Sequence, residues 1–251
     1  MRKVIPIAAG TGAATTPSPA NPDVVHVVQH TSAEYLGLIE DHLEGRSIRF
    51  RYHRPFTGKA PLPAANALGK GLVLLGGGPW GSAGARDVPT LEDEIALARA
   101  ALGNNKPVIG IGLGAQILAL AAGGSSRPAE LEFSVGPARR VKDNALEGYL
   151  PAEYPLAIYM RDWPVPPAGA EVLALDQAGR AALWQLGERA LGFTGHPGLK
   201  VAMVEDLIME FEETPANIEA GLARLRAAQR AIEDALVALM TGMVKKMGWM
   251  H

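Results

Sequence analysis

The chain has 251 residues, 48% of them hydrophobic and 20% charged, which suits one large domain or two small ones and excludes a wholly disordered protein. Lys and Arg number 24 against 26 Asp and Glu, a net charge of −2, and that balance argues against nucleic acid as the main partner. There is no cysteine, so disulfides, thiolate metal sites and a thiol nucleophile are all excluded.

Residues 1–22, rich in Ala, Gly, Thr and Pro, read as a flexible arm. Pro6 and the early glycines leave no secretory apolar core after Met1-Arg2-Lys3, and no apolar run is long enough to cross a bilayer. A cytoplasmic location without membrane contact is therefore expected. From Val24 onward, strand and helix signals alternate. Val24 to Val28 is a β-branched run suited to a buried strand. Thr31 with Glu34 three residues later reads as a capping box, which predicts a helix ending at Gly45 with Leu36, Ile39 and Leu43 on one face. Ile48, Phe50 and Tyr52 alternate with Arg49, Arg51 and His53, as in a strand with one wet face. Gly71 to Pro79 reads as a buried strand entering a glycine loop. Thr90 with Asp93 opens a helix through about Leu102. Lys106 to Ile111 is a buried strand and Leu113 to Ala122 a helix.

Shorter strands follow, clearest at Val172–Leu175, Ala181–Gln185 and Ala190–Phe193. Lys200 to Phe211 is helical, Pro215 restarts the chain, and Ala216 to Lys246 reads as one long helix. The order predicts an α/β fold, a mostly parallel sheet flanked by helices with a long C-terminal helix. Three parts are expected: the arm (1–22), the α/β domain (23–200) and a helical extension (201–251). Ile218, Leu222, Leu225, Ile232, Leu236, Leu239 and Met243 form an apolar seam on the long helix. Two readings of that seam stand, packing on the parent domain or contact with a partner protein or a second copy.

The stretch Pro107 to Gly124 carries the most chemical information. A buried strand meets a helix through a glycine turn, placing Gly112 at the sheet's carboxyl edge, where α/β proteins bind ligands. In a nucleophile elbow this position holds a reactive side chain in a strained conformation. The loop Gly76-Gly77-Gly78-Pro79 can present backbone N–H groups to an anion. Leu191 to Pro197 ends a strand with His196, a candidate base. Together, in this order from about Val24 to Lys200, these segments resemble the class I glutamine amidotransferases.

The resemblance implies a Cys–His–Glu triad, of which only His196 is present. Gly112 stands at the nucleophile position, and Gly198 stands at the acid position after His196-Pro197. Losing the nucleophile removes the covalent route, and losing the acid weakens the histidine as a base. The resemblance makes Gly77, Gly78 and Leu113 candidates for backbone oxyanion contacts and Gln116 a candidate substrate contact. The expected function is a catalytically degenerate subunit that binds a partner protein, with glutamine or a γ-glutamyl compound as a candidate ligand. Two alternatives remain: a hydrolase of γ-glutamyl amides in which His196 activates water, and a purely structural subunit. No cofactor and no metal are expected.

Other residues read as structural. His26 and His30 sit on a strand and its exit, where a spacing of four does not converge on a metal. Arg46, Arg49, Arg51 and Arg54 suit a solvated sheet edge. Glu92-Asp93-Glu94 suits the positive end of a helix and needs no chemistry. Ser82, Asp162 and Thr194 receive no role. Met240, Met243, Met247, Trp249 and Met250 fit either core or an adaptable contact surface.

Overall fold

The computed structural model describes residues 23–58 and 61–250; the expected arm, residues 1–22, lies outside the described residues. The elements run β1 (Val24–Val28), α1 (Leu38–Glu44), β2 (Arg49–His53), β3 (Gly71–Leu74), α2 (Leu91–Gly103), β4 (Val108–Ile111) and α3 (Leu113–Ala121). They continue with β5 (Ser125–Arg127), β6 (Glu132–Arg140), β7 (Glu153–Met160), β8 (Trp163–Val165), β9 (Glu171–Leu175), β10 (Ala181–Leu186) and β11 (Ala190–Phe193). The helices α4 (Val201–Glu210) and α5 (Ile218–Met247) complete the chain.

The main sheet has the order β2-β1-β3-β4-β11-β10-β9-β6-β7. Strands β2, β1, β3, β4 and β11 are parallel. From β11 to β7 the pairing is antiparallel, and β5 with β8 forms a separate antiparallel pair. This mixed sheet flanked by helices, with its long C-terminal helix, is the architecture expected from the sequence. Strands β1, β3, β4 and β11 are buried at every residue, as continuous apolar runs in parallel strands require. At the edge strand β2, Arg49 and Arg51 are exposed while Phe50 and Tyr52 are half-buried. That is the wet face the alternation implies.

One expected helix start and one expected helix cap are corrected. The helix expected from Thr31 begins only at Leu38, after Gly37 at φ 61°. Thr31 does accept the Glu34 N–H at 3.0 Å, but the Glu34 carboxylate turns to another part of the fold instead of closing a capping box. At α2, the Thr90 hydroxyl donates to the Glu94 carboxylate at 2.5 Å and makes no side-chain cap bond.

The seam of α5 faces its own domain. Leu236, Leu239 and Met243 share a core cluster with Ile109, Ile111 and Phe193. Leu225 and Ile232 pack with Phe133 and Leu207, and Ile218 and Leu222 lie against the same cluster. Each such side chain contributes about 1.5–3 kcal/mol through burial, which accounts for the pattern without a partner. Met240, Met247 and Trp249 are core as well, while Met250 is exposed. Among the described residues no helix is long and apolar enough to cross a membrane.

Candidate functional site

Because β1, β3, β4 and β11 are parallel, their carboxyl ends meet at one edge of the sheet. They deliver the segment His30–Glu34, the glycine loop, the turn at Gly112 and the loop bearing His196. Gly112 is the N-cap of α3 at φ 56°, ψ −115°, a conformation that costs a residue with a side chain about 1–3 kcal/mol. Its N–H donates to the Phe193 carbonyl at 2.9 Å, tying the turn to β11. A Cβ on Gly112 would meet only Gly76 Cα, at an ordinary 3.4 Å. Neighbouring glycines answer to packing: a Cβ on Gly110 would strike the Gly114 carbonyl, and one on Gly114 the Leu74 carbonyl. The helix thus lies close on its sheet, while the turn at Gly112 has room for a side chain.

The glycine loop is gripped from below by two residues of the same segment. Glu34 accepts the Gly78 N–H at 2.7 Å. His30 donates from Nδ1 to the Gly76 carbonyl at 2.9 Å and from Nε2 to Glu94 at 2.7 Å. A carbonyl and a carboxylate can only accept here, so both ring nitrogens carry protons. Burial opposes that charge, but Glu94 outweighs it and raises the His30 pKa above the usual value. Burial pushes Glu34 up to about 7, although the Gly78 N–H and His30 pull the other way. Glu94, expected to serve only the helix dipole, is a fully buried ion-pair partner. Of the expected oxyanion donors, Gly78 therefore has an internal acceptor, while Gly77 packs so closely on Leu113 that a Cβ would stand 2.5 Å from Leu113 Cδ2.

Gln116 is fully buried and its amide is committed to neighbouring chain segments. Its Oε1 accepts the Ser82 hydroxyl at 2.6 Å, and its Nε2 donates to the Arg161 carbonyl at 2.7 Å. Asp162, at φ 59°, lies beside it and accepts the N–H groups of Ser82, Ala83 and Ala129 at 2.9, 3.0 and 3.0 Å. Thr194 donates to the Ala181 carbonyl at 2.6 Å. Above the loop, Arg161 donates to the Pro79 carbonyl at 3.0 Å and pairs with Glu213, which also pairs with Arg86. Arg86 lies over the rings of Trp80 and Phe211.

His196 is 5% exposed. Its Nε2 donates to the Tyr35 carbonyl at 2.8 Å, and its Nδ1 accepts the Gly198 N–H at 3.1 Å. Burial holds its pKa down at about 4. The ring is thus neutral, in one tautomer, with its lone pair engaged by its own loop. That leaves nothing to take a proton from water, which weighs against the hydrolase alternative. Gly198 is packed under α1: its carbonyl accepts the Leu38 N–H at 3.0 Å. A Cβ there would stand 3.1 Å from both Cγ1 and N of Ile39.

The sequence pattern pointed to Gly112, the glycine loop and His196, and the structure brings these to one sheet edge. It did not point to Glu34, to the His30–Glu94 pair or to Arg161 and Glu213. The signal at Glu34 was present but read as a helix cap, and Glu94 was hidden in an acidic run.

Comparison with known proteins agrees with this fold. Solved structures with the same fold include a glutamine amidotransferase from Methylobacillus flagellatus, 23% identical over 89% of this chain and 95% of its own, TM-score 0.74. Another, from Thermotoga maritima, is 21% identical over 90% of this chain and 99% of its own, TM-score 0.73. A putative GMP synthase subunit from Thermoplasma acidophilum is 18% identical over 82% and 97%, TM-score 0.51. The family model described as glutamine amidotransferase class I matches residues 44–199. The chain belongs to that family. A search of curated proteins gives no match.

Proposed function

We propose that this chain is a family member without glutaminase activity that works as one component of an assembly, by binding a partner protein in the cytoplasm. The observation that carries the reading is the elbow: Gly112 holds the strained turn at φ 56° in a chain with no cysteine. The engaged nitrogens of His196 support it, since the histidine has no free lone pair with which to activate water in place of the thiol. The internal partners of Gly78 and Gln116 favour protein binding over capture of glutamine or a γ-glutamyl compound. One structural neighbour is described as a GMP synthase subunit, while a second, from Trypanosoma brucei, is described as a glutaminase domain. The first description supports a protein that works within an assembly. The division into an arm (1–22), a domain (23–200) and an extension (201–251) belongs to the same proposal, with the outer face of α5 the part free for a partner.

Purification from the native source tests it. A stoichiometric partner should co-purify, and the pair should release no ammonia from glutamine through this chain. A solitary monomer in light scattering, together with ammonia release proportional to its concentration, contradicts the reading.

A further inference from the structure

At the amino ends of β4 and β11, away from Gly112 and His196, lies a cavity of about 750 Å³, within the range that holds small-molecule ligands. Four segments line it. Asn105 leads into β4 and Arg189 into β11, the loop after β6 supplies Glu147 and Tyr149, and the last turn of α5 supplies Lys245 and Lys246. The first two segments are tied by the Val108 N–H, which donates to the Arg189 carbonyl at 2.9 Å. The other two are packed together: a Cβ on Gly242 would stand 2.6 Å from the Leu146 carbonyl and 3.0 Å from Tyr149 Cβ. Leu146 and Glu147 hold left-handed backbone at φ 51° and 57°, a conformation that side chains disfavour and that recurs at ligand clamps.

The charges in this cavity do not cancel. Lys246 lies between both acids, 3.3 Å from Glu147 and 3.6 Å from Glu188. Lys245 donates to the Tyr149 hydroxyl at 2.7 Å and sits 4.5 Å from the centre of that ring, which leaves the phenol proton free to donate elsewhere. The Arg189 side chain has no hydrogen bond or ion pair among the described residues, and its guanidinium lies beside the end of α5, 3.8 Å from an added Cβ on Gly248. Arg189 and Lys245 are therefore two cations without a carboxylate partner.

We propose that this cavity binds a small phosphate monoester. Arg189, Lys245 and Tyr149 offer a planar fork, a point charge and a hydroxyl from three segments, a donor set that suits the terminal oxygens and the charge of about −1.5 to −2 of a phosphate group at neutral pH. Asn105 and the carboxylates of Glu147 and Glu188 give polar partners to a hydroxyl-bearing body, so a sugar phosphate is the class that fits.

Ribose 5-phosphate is the probe, titrated by calorimetry and followed through the amide resonances of Gly148, Arg189 and Gly248, with ribose and sodium chloride at equal ionic strength as controls. Saturable binding should appear with ribose 5-phosphate and with neither control. Arg189→Gln and Lys245→Gln, both at exposed positions, should each raise Kd about tenfold, the worth of one charge-assisted hydrogen bond. No saturable binding up to millimolar concentrations, or binding that both substitutions leave unchanged, overturns the proposal. If Arg189 serves only to close the end of α5, Arg189→Gln lowers Tm and the unaltered protein ignores the probe, which overturns it too. Neither readout depends on ammonia or on a partner protein, so this inference and the proposed function fail separately.

Discussion

Gly112 and Gly198 stand where the family resemblance expects a cysteine and a glutamate, and their surroundings differ. At Gly112 the room for a side chain remains, with Gly76 Cα at 3.4 Å from an added Cβ. At Gly198 the room is gone: α1 starts directly against it, with Ile39 3.1 Å from an added Cβ and the Leu38 N–H bonded to its carbonyl. One position is still open and the other is built over. The acid that the resemblance expects is therefore the harder of the two to introduce, since α1 packs against Gly198.

The largest effect should come from Gly198→Glu. It overpacks the start of α1 and buries a carboxylate, costing about 3 kcal/mol or more in denaturant unfolding. A variant as stable as the parent would break the comparison. Gly112→Cys should fold at a cost of about 1–3 kcal/mol, all of it backbone strain. Because His196 is neutral and engaged, only the N-terminus of α3 should act on the new thiol, so its alkylation midpoint should be the same with and without His196→Ala. A midpoint that rises when His196 is replaced by alanine would mean that His196 still acts on that position. Gly198→Ala, with one methyl against Ile39, should cost only about 1 kcal/mol.

The pH dependence of stability sharpens the same contrast between groups. His196 has a folded pKa near 4, below its unfolded value of about 6.5. Its contribution is present above pH 6.5 and is lost as pH falls through 4. Glu34, raised to about 7, and His30, raised in direction, act oppositely. Glu34 contributes fully below about pH 4.5 and loses that contribution as pH rises through 7; His30 weakens as pH rises through its own raised value. Chemical denaturation across pH 4–9 should show a fall at both ends. Glu34→Gln should flatten the neutral limb and His196→Ala the acid limb.

Much of the fold was legible because its strongest signals are local. Val24–Val28, Val108–Ile111 and Ala190–Phe193 are apolar almost throughout and become fully buried parallel strands. The turn at Gly112 was legible because strand, glycine and helix follow one another directly in the chain. Glu34 was not, since Thr-x-x-Glu before an apolar run looks the same whether the glutamate caps a helix or reaches a loop 44 residues on. Glu94 was lost in a similar way, its acidic neighbours masking the one side chain that turns inward to His30. The α5 seam could not be assigned from its spacing, because burial against a domain and burial against a partner demand the same periodicity. Likewise Gln116 and His196 could be placed near the site by resemblance, but their partners come from segments far away in sequence.

The central claim is that this site has lost glutaminase chemistry by more than one atom, and Gly112→Cys tests it most directly. Ammonia release from glutamine is measured for the folded variant alongside the unaltered protein and Gly112→Cys/His196→Ala. Restoring the thiol alone should leave all three at the buffer rate, because His196 has no free lone pair and no orienting acid. Ammonia release by Gly112→Cys that is proportional to its concentration, and is abolished by His196→Ala, would contradict the account.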